Sequence, residues 1–139
     1  MVGIVIATHG NLAEQLLTTA TAIVGDAKQV DTLSITANED VDNIRKNLSD
    51  AIQKVDTGDG VLILTDMFGG TPSNISLSFL NEKKVEVLTG VNLPMLVKLI
   101  SMTERDDLYA LSKQIEIYGK NNIYLASEIL KNRTQKKEQ

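Results

Sequence analysis

Cysteine and tryptophan are absent from this 139-residue chain, and histidine occurs once. Without cysteine there are no disulfides, no thiolate metal sites and no cysteine nucleophile. A single histidine also falls short of the usual ligand set of a catalytic zinc, so no metal and no cofactor are expected. Aromatic residues make up only 4%, which leaves Leu, Ile and Val to build the core. Positive charge is not in excess: the net charge is −4 and no Lys/Arg stripe interrupts the pattern, which argues against nucleic acid as a partner. No apolar run approaches the roughly 18 residues needed to cross a bilayer, and no basic, cleavable leader precedes the first hydrophobic run. The expectation is a soluble, cytoplasmic protein with one domain over residues 1–130 and a polar tail at 131–139.

Several nucleotide and hydrolase motifs are missing too. There is no GxGxxG fingerprint, no Walker A loop and no GxSxG elbow. Gly58-Asp59-Gly60 stands before a hydrophobic run, where it reads as a turn.

What is present is alternation. Residues 2–7 form a nearly continuous β-branched run, as in a parallel strand buried on both faces. From Asn11 the apolar residues Leu12, Leu16, Leu17, Ala20, Ile23 and Val24 recur at helical spacing, and Gly25-Asp26 stops the helix. Val30, Leu33 and Ile35 mark a second strand. A helix starting at Asn38 or Glu39 is expected to bury Val41, Ile44, Leu48, Ala51, Ile52 and Val55. Residues 61–65 are the clearest strand, and Thr71-Pro72 reads as a helix start with Thr71 as N-cap. Ile75, Leu77, Phe79 and Leu80 belong to that short helix. A fourth strand at 85–88 leads to a Pro-initiated helix at 94–102 that places Met95 and Met102 in the core. A further helix at 106–118 is closed by Gly119, and a fifth, edge strand is expected at 122–126. Strands alternating with helices predict an α/β, doubly wound, mainly parallel sheet.

In a flavodoxin-like order 2-1-3-4, strands 1 and 3 are neighbours, and ligands bind where their crossovers diverge. His9 ends strand 1 and Asp66 ends strand 3, so both border that crevice. An imidazole, with a free pKa of about 6.5, keeps one nitrogen nucleophilic near neutrality. A carboxylate on its other N–H fixes the tautomer and stabilises the charge that develops on attack. Gly69-Gly70 allows close backbone approach, and the helix start at Thr71 supplies N–H groups for an anion. A receiver domain would phosphorylate an aspartate at the place of Asp66. It needs an acidic pair after strand 1 to hold Mg²⁺, and this chain has Thr8-His9 there.

The stretches GIVIATHGNLAEQLL, GVLILTDMFGGTPSN and TGVNLPMLVKLI resemble the IIA domain of the mannose-family sugar phosphotransferase system. The resemblance implies that His9 is phosphorylated, with Asp66 bonded to the other imidazole nitrogen and Gly69, Gly70 and Thr71 around the phosphoryl group. It places Asn92 in a loop beside the site and Phe68 on its apolar rim, where some members carry tryptophan. Asn11 stands where some members have an aromatic residue. The implied donor is the phosphocarrier HPr and the acceptor a IIB component, with the membrane IIC and IID subunits served indirectly. Members form homodimers, which assigns 122–126 as an antiparallel edge strand exchanged between subunits. A free-standing IIA phosphocarrier for sugar uptake is expected. The alternative is a regulatory phosphoprotein that signals through the state of His9 without transport.

Overall fold

The computed structural model describes residues 1–67, 69–80 and 84–138, with side chains to residue 133. Four strands, β1 (Gly3–His9), β2 (Val30–Ile35), β3 (Val61–Thr65) and β4 (Val85–Thr89), form one sheet in the order β2-β1-β3-β4. All three pairings are parallel, as the expected strand order requires. The intervening helices are α1 (Leu12–Val24), α2 (Val41–Val55) and α3 (Thr71–Leu77), followed by α4 (Leu93–Ser101), α5 (Leu108–Asn121) and α6 (Ala126–Glu138).

The central strands are apolar on both faces because both faces are covered. Successive residues of a strand point to opposite sides. Val5, Ala7 and Ile63 therefore pack with Ile44, Leu48 and Ile52 of α2 and with Ile75 of α3. Ile4, Ile6, Leu62 and Leu64 pack on the other side with α1, α4 and α5. Each fully buried Leu or Ile contributes about 1.5–3 kcal/mol relative to exposure, so these two layers dominate the folding energy. The chain moves outward from β1 under α1 and from β3 under α3, on opposite faces. The crevice between the carboxyl ends of β1 and β3 is the resulting switch point.

Several expectations are corrected. In α1 the buried contacts come from Ala13 and Ala20, with Leu16 and Leu17 partly covered, while Leu12 and Ile23 are exposed. Small residues let this helix lie close, which turns its larger neighbours outward. Val41, at the start of α2, is exposed as well. Gly119 does not end α5, which continues to Asn121. A Cβ at Gly119 would lie 2.1 Å from Met95 Cε, so the glycine serves the crossing of α5 and α4 instead. Met95 is buried and Met102 half-buried, both within the α1–α4–α5 layer.

Residues 122–125 pair with no strand of this chain, and the sheet ends at β4 among the described residues. The polar segment from residue 131, read from composition as a frayed tail, is helical to Glu138 as part of α6. Arg105 went unnoticed in the sequence. It is 3% exposed, and its guanidinium donates to the carbonyls of Val2 (3.0 Å), Leu99 (3.1 Å) and Lys28. It ties the entry of β1 to α4 and to the α1–β2 loop, with no carboxylate among the described residues involved. Burial lowers its pKa, but a guanidinium stays charged.

Candidate functional site

His9 is the last residue of β1, where pairing with Ile35 of β2 keeps the strand regular to its end. Asp66 follows directly on β3, whose Thr65 pairs with Ala7. The two side chains meet across the crevice. Asp66 Oδ2 lies 2.8 Å from His9 Nδ1 and also accepts from the His9 backbone N–H at 3.1 Å. Its other oxygen accepts from the Met67 N–H at 3.0 Å. The Asp66 side chain is only 13% exposed, whereas the imidazole is 49% exposed.

Burial acts to raise the Asp66 pKa, but the hydrogen bonds from the His9 ring and backbone and the charge of the imidazole outweigh it. The carboxyl is held below its ordinary value. Asp66 is therefore a carboxylate near neutrality, and a carboxylate can only accept. The proton of a neutral His9 then sits on Nδ1, and Nε2 carries the free lone pair.

Nε2 faces the glycine loop. A Cβ on Gly70 would come within 2.7 Å of His9 Cε1 and 3.2 Å of Nε2, so only a residue without a side chain lets the backbone pass the ring this closely. Gly70, with φ −86° and ψ 171°, is also the cap residue of α3. This shifts the expected cap by one position: Thr71 is the first helical residue and Pro72 the second. Thr71 is exposed, and no capping role competes for its hydroxyl. The first intrahelical donor is Asn74, bonded to the Gly70 carbonyl at 2.9 Å, which leaves earlier N–H groups of this turn to other acceptors. Gly69, in the exposed turn before it, has φ +87°.

His9 and Thr71 also border an open depression of about 530 Å³, shared with Ile35, Ala37, Val41 and Ile44. Its far wall is the loop after β2, which sequence reasoning did not assign to the site. The signal was there in the topology, since β2 is the other neighbour of β1 and its carboxyl end opens on the same side. Val41, on this wall, is exposed, as are Leu12 at the start of α1 and Met67 beside Asp66.

Asn92 lies in the loop after β4, at the same end of the sheet. Its Oδ1 accepts from the Met95 N–H at 3.1 Å and its Nδ2 donates to the Gly119 carbonyl at 3.2 Å, so its amide caps α4 and ties α5. Phe68 lies outside the described residues. Among the described residues no group of His, Asp and Glu side chains is placed to hold a metal ion, and no helix is long and apolar enough to cross a membrane. The arrangement is that of a solvent-facing nitrogen nucleophile, oriented from behind by a carboxylate and bordered by main-chain donors.

A family model described as the PTS system fructose IIA component matches residues 3–116. The mannose-specific EIIAB component of Escherichia coli (strain K12) is 38% identical over 107 residues, covering 76% of this chain and 32% of that protein. The chain thus spans about a third of that relative. The fructose-specific EIIA component of Bacillus subtilis (strain 168) is 27% identical over 131 residues, covering 94% of this chain and 90% of that protein. Among solved structures, the PTS IIA protein associated with the fucose utilization operon from Streptococcus pneumoniae has a TM-score of 0.80 at 34% identity. It is matched over 92% of this chain and 95% of its own. This chain belongs to the mannose-family EIIA components of the sugar phosphotransferase system.

Proposed function

We propose that the protein is a histidine phosphocarrier: His9 Nε2 takes a phosphoryl group from phospho-HPr and passes it to a IIB component for coupled sugar uptake. The observation that carries this reading is the 2.8 Å contact of Asp66 Oδ2 with Nδ1, which leaves Nε2 as the nitrogen turned toward Gly70 and Thr71. In the first transfer the P–N bond on the donor histidine breaks as a P–N bond to His9 Nε2 forms, and the donor ring keeps the electron pair. The second transfer repeats this with His9 as the leaving group. Asp66 holds the Nδ1 proton throughout and offsets the positive charge that phosphorylation places on the ring. Gly69, Gly70 and Thr71 surround the phosphoryl oxygens with N–H groups and a hydroxyl, a role open to uncharged donors at a helix start. No arginine or lysine stands in either loop. Alignment and charge stabilisation are the protein's whole share of the chemistry.

Exposed Leu12, Val41 and Met67 give a protein partner an apolar surface from which water is excluded on docking. The family resemblance assigns Phe68 to the partner surface, and Asn92 holds the loop after β4. The relatives are named for mannose, fructose and sorbose, in keeping with a sugar choice made by the membrane subunits. HPr and IIB are cytoplasmic in this scheme, and so is this protein. The homodimer belongs to the same reading. β4 is an open edge, a groove beside it is lined by Leu77, Val87 and Ile123, and Ile123, Tyr124 and Leu125 are exposed. Light scattering that finds a monomer at micromolar concentration would remove the dimer.

The test of the carrier role is incubation with phosphoenolpyruvate, enzyme I and HPr. Acid-labile, base-stable phosphate is expected on the wild type and none on His9→Ala. Persistent labelling of His9→Ala overturns the assignment.

A further inference from the structure

Three consecutive residues at the end of β1 are each tied to a different element. The His9 N–H donates to Asp66 beyond β3, and the Gly10 N–H donates to the Ile35 carbonyl of β2 at 2.9 Å. Thr8 Oγ1 accepts from the Ala13 N–H of α1 at 2.7 Å. The first two bonds use main-chain donors that any residue supplies. The third requires a hydroxyl at position 8.

Thr8 is fully buried, and strand alternation turns it toward the α1 face, opposite to His9. Valine has the same shape and suits a strand interior, so packing alone does not account for the oxygen. Asn11, in the nominal cap position of α1, makes no side-chain cap bond. The helix is capped instead from inside the preceding strand, across the turn at Gly10, whose φ is +53°. Ala13 is itself fully buried, so its N–H has no water in reach to replace the threonine oxygen.

We propose that Thr8 is a positioning residue for phosphoryl transfer. Its hydroxyl locks the start of α1 to the end of β1 and thereby holds His9 where Asp66 accepts the hydrogen bond from Nδ1–H and Nε2 faces Gly70. This rests on the reading of His9 as the phosphoryl acceptor. Without the hydroxyl, the first turn of α1 loses its cap and the chain pivots at Gly10, which carries the imidazole off its line to Asp66.

The experiment compares Thr8→Val, Thr8→Ser and Thr8→Ala with the wild type, each measured well below its own melting temperature. One readout is the rate of phosphoryl transfer from phospho-HPr. The other is the His9 ring ¹⁵N pattern, which reports whether Nδ1 carries the hydrogen-bonded proton. Thr8→Val is expected to lose the Nδ1–H signature and to transfer about 10- to 100-fold more slowly at unchanged KM for HPr. Thr8→Ser is expected to keep both. Thr8→Ala and Thr8→Ser differ by the hydroxyl alone, so this pair decides the matter if Thr8→Val does not fold. Wild-type rate and ring pattern in the hydroxyl-free variants overturn the proposal, and so does equal loss in Thr8→Ser. If the wild type takes no phosphate at all, the carrier reading fails by itself, and the ring pattern still judges Thr8.

Discussion

Asp66 Oδ2 receives both the backbone N–H of His9, at 3.1 Å, and stands 2.8 Å from its Nδ1, although the two residues are 57 positions apart. One oxygen atom thus fixes the position of the strand end and the orientation of the ring it carries. The double contact separates this aspartate from a simple surface partner, because main chain and side chain are set together.

Removing that oxygen is expected to slow transfer without unfolding the protein. Asp66→Ala leaves a half-buried loop position whose loss the two apolar layers can absorb, while the ring loses its tautomer control. A fall on the order of 100-fold or more in the rate of transfer from phospho-HPr is expected. Rapid-quench labelling measures it, and an unchanged rate would take Asp66 out of the mechanism.

The same contact predicts an acid limb in stability. The Asp66 pKa is lower in the folded protein than its ordinary value of 3.8, so the unfolded chain binds the proton more readily. The contribution is complete above that ordinary value and is lost as pH falls through the lower, folded one. Melting temperatures of wild type and Asp66→Asn should therefore differ at neutral pH and converge on acidification. A gap that stays constant with pH would contradict this origin.

Gly70→Ala tests the close approach to the ring. The backbone at Gly70, φ −86° and ψ 171°, is open to any residue, so alanine brings no conformational strain. Its methyl would meet Cε1 at 2.7 Å and must displace the imidazole or the loop. Transfer should drop by about 100-fold, in the range that a displacement of roughly 1 Å produces, with a melting temperature close to wild type. Normal transfer by Gly70→Ala would show that the ring and loop have room to adjust.

Arg105→Met keeps the stem and removes the guanidinium from the buried carbonyl contacts at Val2 and Leu99 and the part-buried one at Lys28. A loss of about 2–4 kcal/mol is expected from denaturant unfolding, since the Val2 and Leu99 carbonyls lie where water does not replace the donor. Arg105 lies at the amino end of β1, away from His9, so transfer per folded molecule should be unchanged. A variant as stable as the wild type would mean that the carbonyls find other donors.

Local pattern carries far in this chain. The β-branched runs of β1 and β3, the helical spacing of α2 and the proline-marked starts of α3 and α4 are written in neighbouring residues. Burial on two faces leaves no polar alternation in the central strands, which is itself readable. The placement of His9 and Asp66 at strand ends follows from the same runs. Given a 2-1-3-4 order, their shared crevice follows as well.

Other features exist only once the elements touch. Leu12, Ile23 and Val41 sit at apolar positions of helical repeats, yet they are exposed, because how closely a helix lies on its sheet is set by the partner surface. Gly119 looks like a helix end until Met95 of α4 is laid against it. The cap of α1 comes from Thr8 within a strand, and the charge of Arg105 is held by the nearby Leu99 carbonyl and by the distant carbonyls of Val2 and Lys28. The sequence by itself determined the four strands, the helices up to α5, their order and the strand ends where His9 and Asp66 stand, since these depend on periodicity along the chain. The distances that set His9 Nδ1 against Asp66 and the ring against Gly70 depend on groups many residues apart, and only the tertiary structure decided them.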